Sequence, residues 1–313
     1  LLSELPAPPV PPMPGTLDVD LAEVGLRGFS LRELRLDAST DGQSWQIEQA
    51  VANLPGESEV RFSGKVTNDA GEPGLAGDFS ISTRRLDGLA SLWRRGSENN
   101  PLFNRSGALS GKLLLAGDAF GLSNGRFEFA GQMHNIEIRL GFGDEKRLDS
   151  VVHLGTLNAA QTDALLALLP DAANDGPFAV SFPYGSFSLT AQALDVAGLT
   201  ANDLVAEGQW GQGDLRFAKL STSDWGGVAF NGALRFAGAL TQPVVTGSGQ
   251  VAVGNGDAAG LAALYEMAGL PYGWQEGLAN IWPADLQFIL SNPDDSPAQV
   301  LTLAGELGAA SLD

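Results

Sequence analysis

Along most of the chain, apolar residues recur at every second position. Val60 and Phe62, Leu113 and Leu115, Phe127 and Phe129, and Ile136, Ile138 and Leu140 alternate with small or polar neighbours. Phe187 and Leu189, Leu215 and Phe217, Leu234 and Phe236, Val251 and Val253, and Leu301 and Leu303 do the same, with Phe230 in a similar setting. A strand sends successive side chains to opposite faces, so this period predicts antiparallel strands with one apolar face and one wet face. Asp41-Gly42, Asn124-Gly125 and Asn231-Gly232 sit among these runs and supply residues that tolerate positive φ. They predict three tight hairpin turns.

Three stretches break the period. Leu86, Leu89, Leu92 and Trp93 have the spacing of one helix face. Thr156 to Leu169 ends in Ala-Leu-Leu-Ala-Leu-Leu and stops at Pro170. Leu261, Leu264, Tyr265 and Ala268 form a third helical stripe, with Asp257 as N-cap, Gly269 as the stop and Pro271 beyond it. Each helix follows a set of strands, which is block repetition. The repeat shows in the residues. Leu34 to Trp45 and Leu204 to Leu215 are both 11 apart, and the runs Leu34 to Gly64 and Leu204 to Gly232 span 30 and 28. The predicted fold class is mainly β, in repeated blocks of antiparallel sheet with three short helices.

Composition narrows the chemistry. Forty glycines in 313 residues fit many short strands and tight turns. The absence of cysteine excludes disulfides, thiolate metal sites and cysteine nucleophiles. Two histidines, His134 and His153, exclude a three-histidine metal site, and both read as strand residues without a catalytic role. A net charge of −19 argues against a nucleic-acid partner, because a phosphate backbone needs a basic footprint. The segment over residues 1–15 holds six of the seventeen prolines and reads as an extended lead-in. No run has the apolar length of a membrane helix. The sequence opens at Leu1-Leu2 and closes in mid-pattern at Leu312-Asp313, which reads as a piece of a longer protein.

Two motifs carry enzymatic readings. Gly121-Leu-Ser-Asn-Gly125 has the spacing of a nucleophile elbow around Ser123, with Asp149 and His153 later in the required order. The elbow needs a helix after it, and Arg126 to Phe129 continues as a strand. Gly254-x-Gly256-x-x-Ala259 lies between a strand and a helix, as in a dinucleotide fingerprint. That fingerprint needs a second parallel strand, which the pattern does not provide. Asp294-Asp295 is turn chemistry. No catalytic residue, metal site or cofactor is assigned. Charge is unevenly spread: residues 1–150 carry 15 basic and 21 acidic side chains, and residues 151–313 carry 3 and 16. Arg84, Arg85, Arg94 and Arg95 flank the first helix beside Trp93, a grouping able to rest on anionic headgroups or simply to solvate the helix ends.

The run Leu26 to Asp37, the turn at Asp41-Gly42, Trp45-x-Ile47, Leu54-Pro-Gly56 and Val60-Arg-Phe-Ser-Gly64 resembles the AsmA-like family of bacterial envelope proteins. Gly198 to Gly238 repeats that run, and the strand-to-helix ends at Phe79 to Trp93 and Val251 to Ala268 are similar to the family as well. The resemblance implies curved antiparallel sheets forming an open apolar groove, in approximate blocks 16–105, 106–182 and 183–313 after the lead-in. It further implies a non-enzymatic protein that passes phospholipid acyl chains through the periplasm in support of outer-membrane assembly. The expected location is periplasmic, tethered to the inner membrane by a segment outside this chain, with other envelope proteins as partners. Phe127, Phe129, Ile136, Ile138, Leu215, Phe217, Phe230 and Phe236 are the expected groove lining. The rival reading is a secreted or surface β-rich structural or adhesive protein with a sealed core.

Overall fold

The computed structural model describes residues 9–26, 28–69, 72–94, 99–144, 146–169, 182–238, 243–256, 258–267, 282–293, 299–308 and 310–312. The protein is mainly β, with seventeen strands and three helices among these residues. Its contacts divide it into two compact units, Leu1–Val151 with Asp163–Pro183, and Val152–Thr162 with Tyr184–Asp313. The first unit holds β1 (Gly15–Leu26), β2 (Phe29–Thr40), β3 (Trp45–Leu54), β4 (Ser58–Asp69), β5 (Glu72–Thr83), α1 (Leu86–Ala90), β6 (Gly107–Ala116), β7 (Ala119–Phe129) and β8 (Gln132–Gly141). β9 (Arg147–Leu157) and α2 (Ala159–Leu166) are shared between the units. The second unit holds β10 (Tyr184–Val196), β11 (Leu199–Gly211), β12 (Asp214–Trp225), β13 (Val228–Ala237), β14 (Val244–Val253), α3 (Ala259–Met267), β15 (Ala284–Ser291), β16 (Val300–Leu307) and β17 (Ala310–Leu312).

Within each unit the strands pair antiparallel with their sequence neighbours, from β1 to β8 in the first and from β10 to β17 in the second. All three predicted helices form, the first two shorter than their apolar stripes. Asp257, Gly269 and Pro271, assigned as ends of the third, lie outside the described residues, as do Pro170, Asp294 and Asp295.

The hairpin turns need correction. Asp41-Gly42 does lie between β2 and β3, where the Asp41 carboxylate accepts the backbone N–H groups of Gln43 (2.8 Å) and Ser44 (2.9 Å). Those bonds hold its pKa below the ordinary carboxylate value. Asn124-Gly125 is instead inside β7, where Asn124 takes φ 51° and the register with β8 shifts between Leu122 and Gly125. Its positive φ serves a β-bulge rather than a turn. Asn231-Gly232 is regular mid-strand backbone in β13, paired with Gln250 and Gly249. Two-residue turns with both φ values positive fall at Ala130-Gly131, Ala197-Gly198 and Gly226-Gly227.

The two units repeat one plan: β1 to β5 with α1, and β10 to β14 with α3. Glu33 and Asp203 both take positive φ in the strand just before the matched Leu34 and Leu204. Register shifts fall at matched places, Ile47/Ala50 in β3 and Phe217/Leu220 in β12. In each copy a helix docks on a glycine turn. The Arg85 N–H donates to the Gly56 carbonyl at 3.0 Å, and the Gly260 N–H donates to the Gly226 carbonyl at 2.9 Å. A Cβ on Gly88 would lie 2.6 Å from Gly56 Cα, and one on Gly260 would collide with the Trp225 carbonyl. Core packing gathers at these junctions: Leu86, Leu89 and Ala90 are buried beside the first, and Val228, Val253 and Leu261 form a cluster at the second.

An exposed helix glycine replaced by alanine gains stability. Here the added methyl meets backbone, so the sign reverses. Gly88→Ala and Gly260→Ala are each expected to destabilise the protein by about 1–3 kcal/mol, the usual cost of overpacking. Chemical denaturation midpoints of the two variants check this.

Candidate functional site: the half-open apolar faces

Residues directly opposite in an antiparallel pair point to the same face. In the first unit this builds cross-strand apolar rows. Val60, Ile81, Leu109 and Phe127 form one across β4 to β7, and Leu113, Leu122 and Ile138 form another across β6 to β8. Phe62 faces Phe79, and Leu115 faces Phe120, which faces Leu140. In the second unit Trp210, Leu215, Phe236 and Val245 line up across β11 to β14. Phe217 with Leu234, and Phe230 with Val251 and Leu286, extend the same face.

The expected lining residues therefore fall together within their own unit. Phe127, Phe129, Ile136 and Ile138 share the apolar face of the first, and Leu215, Phe217, Phe230 and Phe236 share that of the second. All are half-buried except Phe129, which is 1% exposed and stacks on Phe127 with ring centroids 5.6 Å apart. Phe129 is core rather than accessible lining: it lies at the end of β7 opposite Gly107, where a Cβ would come within 3.4 Å of the buried Leu86 side chain of α1. Among the described phenylalanines it is the only one buried. Phe103 is exposed and the others are half-buried.

Sequence reasoning missed how the rings are carried. The Phe217 ring meets Phe187 at 5.4 Å and Phe236 at 5.9 Å, Phe187 reaches Trp210 at 6.2 Å, and Phe230 meets Phe288 at 5.8 Å. Several rings reach over a glycine on the neighbouring strand. A Cβ on Gly77 would lie 2.8 Å from Phe62 Cζ, one on Gly208 2.7 Å from Phe187 Cζ, and one on Gly249 2.9 Å from Phe288 Cε1. The glycine is what admits the ring. The available signal was the recurring Phe-x-Gly and Gly-x-Phe spacing at Phe62/Gly64, Gly77/Phe79 and Phe230/Gly232.

The arginines grouped around the first helix are mostly committed within the fold. The Arg85 guanidinium makes a two-pronged pair with Asp87, with Nη2 to Oδ2 at 2.7 Å, and lies 5.2 Å over the Phe103 ring. Trp93 Nε1 donates to the Leu168 carbonyl at 2.8 Å, and Arg94 donates to the Ala167 carbonyl, so both close the C-terminal end of α2. Arg84 stays exposed, 3.9 Å from Glu57. Arg95 lies outside the described residues.

The enzymatic motifs lack their required context. Ser123 is an exposed residue inside β7 opposite Lys112, and β7 runs on to Phe129 and turns into β8. Asp149 accepts two hydrogen bonds from Arg147, and His153 contacts Thr190 at 2.7 Å. β14, which leads into Gly254, pairs antiparallel with β15, so no parallel βαβ unit surrounds that loop. Among the described residues no group of three or more potential ligands clusters for a metal, and no helix is long and apolar enough to cross a membrane. Compared with protein-family models, curated proteins and solved structures, the chain finds no match in any of the three.

His134 sits opposite Phe127 in the apolar row of β8 and is 1% exposed. Burial pushes its pKa below the ordinary histidine value, against a smaller opposing effect from a hydrogen bond with the Phe129 backbone. The unfolded chain therefore binds a proton more readily than the native one, and stability must fall as pH drops through the ordinary histidine range near 6.5. The loss levels off below the lowered native pKa. Urea midpoints at pH 7.5 and 5.5 are expected to differ more for the native sequence than for His134→Leu, which removes this contribution.

Proposed function

We propose that this chain binds phospholipid through the half-open apolar faces of its sheets and passes it onward without chemical conversion. The observation that carries the reading is the set of cross-strand rows in which phenylalanine, isoleucine and leucine side chains stay half-buried. Each methylene of an acyl chain laid on such a surface contributes about 0.8 kcal/mol on leaving water. Many shallow contacts of that size hold a chain with no specifically placed polar group. The resemblance to AsmA-like proteins supports the same reading. It adds a periplasmic location, a tether to the inner membrane outside residues 1–313, a role in outer-membrane lipid supply, and other envelope proteins as neighbours.

Phe127 and Phe217 are the residues to test, since Phe129 is sealed and a charge there would attack the core. Native mass spectrometry with lipid extraction is expected to find phospholipid co-purifying with the protein. Phe127→Asp combined with Phe217→Asp is expected to lose most of that lipid while keeping the β-sheet circular dichroism of the native chain. A lipid-free native protein that takes up no added phospholipid would overturn the proposal in favour of a sealed structural or adhesive protein.

A further inference from the structure

The other face of the first unit's sheet carries a feature that lipid binding does not use. A cavity of about 640 Å³ lies over β3 to β7, lined by the cations Arg61, Lys112 and Arg126, the carboxylates Glu48 and Asp78, and the hydroxyls Ser80 and Ser110. Its floor follows from the strand register: Arg61, Ser80, Ser110 and Arg126 are successive cross-strand neighbours in one row, and Asp78 and Lys112 belong to the next. Strands lie about 4.8 Å apart, so the two arginines stand about 14 Å apart at Cα on either side of two hydroxyls. Bulges border the basin on both flanks, at residues 48–49 in β3 and at Asn124 in β7. Bulges of this kind re-aim side chains beside binding sites.

Charge singles out one residue. Lys112 is paired with Asp78 at 2.8 Å and Arg61 with Glu59 at 2.6 Å. The Arg126 side chain has no ion pair or hydrogen bond among the described residues, although the chain carries a net charge of −19. The second copy of the fold serves as an internal control. Register and glycine positions match, Gly64 with Gly77 corresponding to Gly232 with Gly249. The positions equivalent to Arg61, Ser80, Ser110 and Lys112 are Ala229, Ala252, Asp285 and Gln287. The scaffold thus forms without cations or serines at these places, and their presence in the first unit is not a folding requirement.

We propose that this basin binds a phosphate oxyanion borne on a small polar ester, with Arg126 as the main cation, Arg61 and Lys112 flanking it, and the Ser80 and Ser110 hydroxyls donating. Arginine and hydroxyl donors suit a tetrahedral oxyanion with several acceptor oxygens. The same chemistry is offered by a free phosphomonoester and by a phospholipid headgroup. The row of Arg61, Ser80, Ser110 and Arg126 alternates with the apolar row of Val60, Ile81, Leu109 and Phe127 and so lies on the opposite face, which makes the proposal independent of the proposed acyl-chain binding.

Titration of the intact chain with glycerol 3-phosphate, followed by calorimetry, gives the first arm. Flotation with phosphatidylglycerol vesicles, against phosphatidylcholine vesicles, gives the second. Saturable glycerol 3-phosphate binding that weakens about tenfold in Arg126→Gln, a difference of about 1.4 kcal/mol, supports a soluble ester. Selective binding to phosphatidylglycerol vesicles that Arg126→Gln abolishes supports a headgroup. Co-purified lipid should be unchanged in that variant in either case. Arg216→Gln, in the second unit, controls for general charge. Absence of binding in both arms, or binding that Arg126→Gln and Arg216→Gln weaken equally, would overturn the proposal.

Discussion

The fold depends on places where two backbones approach with no room for a Cβ atom. Gly64 and Gly77 face each other across β4 and β5, and a Cβ on Gly64 would lie 2.5 Å from Gly77 Cα. Gly232 and Gly249 repeat the arrangement in β13 and β14, where a Cβ on Gly249 would lie 2.7 Å from Gly232 Cα. Gly56 with Gly88, and Gly226 with Gly260, bring turn and helix together in the same manner. Glycine weakens a strand when its only contribution is freedom, because that freedom is lost on folding. At these positions it permits local bends, overlying rings and a docked helix, and those contacts offset the entropic cost. Glycines such as Gly64, Gly77, Gly232 and Gly249 thus serve close approach within the sheet, alongside those that serve its turns.

The half-open faces follow from that constraint. A phenylalanine ring that reaches over a cross-strand glycine packs against the sheet there and stays partly accessible. Rings arranged this way resist both full burial and full exposure, in keeping with the intermediate accessibility that Phe62, Phe187 and Phe288 share despite different neighbours. Exposed apolar bands favour self-association. The chain's large negative charge opposes it by keeping molecules apart, and ion pairs such as Lys112–Asp78 and Arg235–Asp214 lie among the exposed polar side chains of the same strands.

Strand positions and face assignments were legible in the sequence because the side-chain period of a strand is two, and a one-residue slip would have turned Phe127 or Phe217 to the wet face. The three helices were legible for the corresponding reason at a period near 3.6. Turn positions were not. Asn-Gly marks a capacity for positive φ, and β7 spends that capacity on a bulge at Asn124 while β13 does not use it at Asn231. The turns that do form at Ala130 and Ala197 place alanine at positive φ, held there by the register of the paired strands on either side. Burial within a row was equally hidden. Phe127 and Phe129 have the same spacing and chemistry, yet Phe129 at the end of β7 is buried and Phe127 is half-buried.

Duplication within the chain separates what the scaffold needs from what its surfaces carry. Glycine pairs, matched register shifts, the positive-φ residues Glu33 and Asp203, and the helix-on-turn contacts recur in both copies. Side chains on the wet face do not: the first unit places arginine, lysine and serine where the second has alanine, aspartate and glutamine. The fold's stability resides in backbone proximity and in the apolar face, so the wet face is free to vary without cost to either. A chain built this way is able to keep an apolar face in each copy while each copy acquires its own polar specificity. The concentration of basic residues in the first 150 positions is one instance of that freedom.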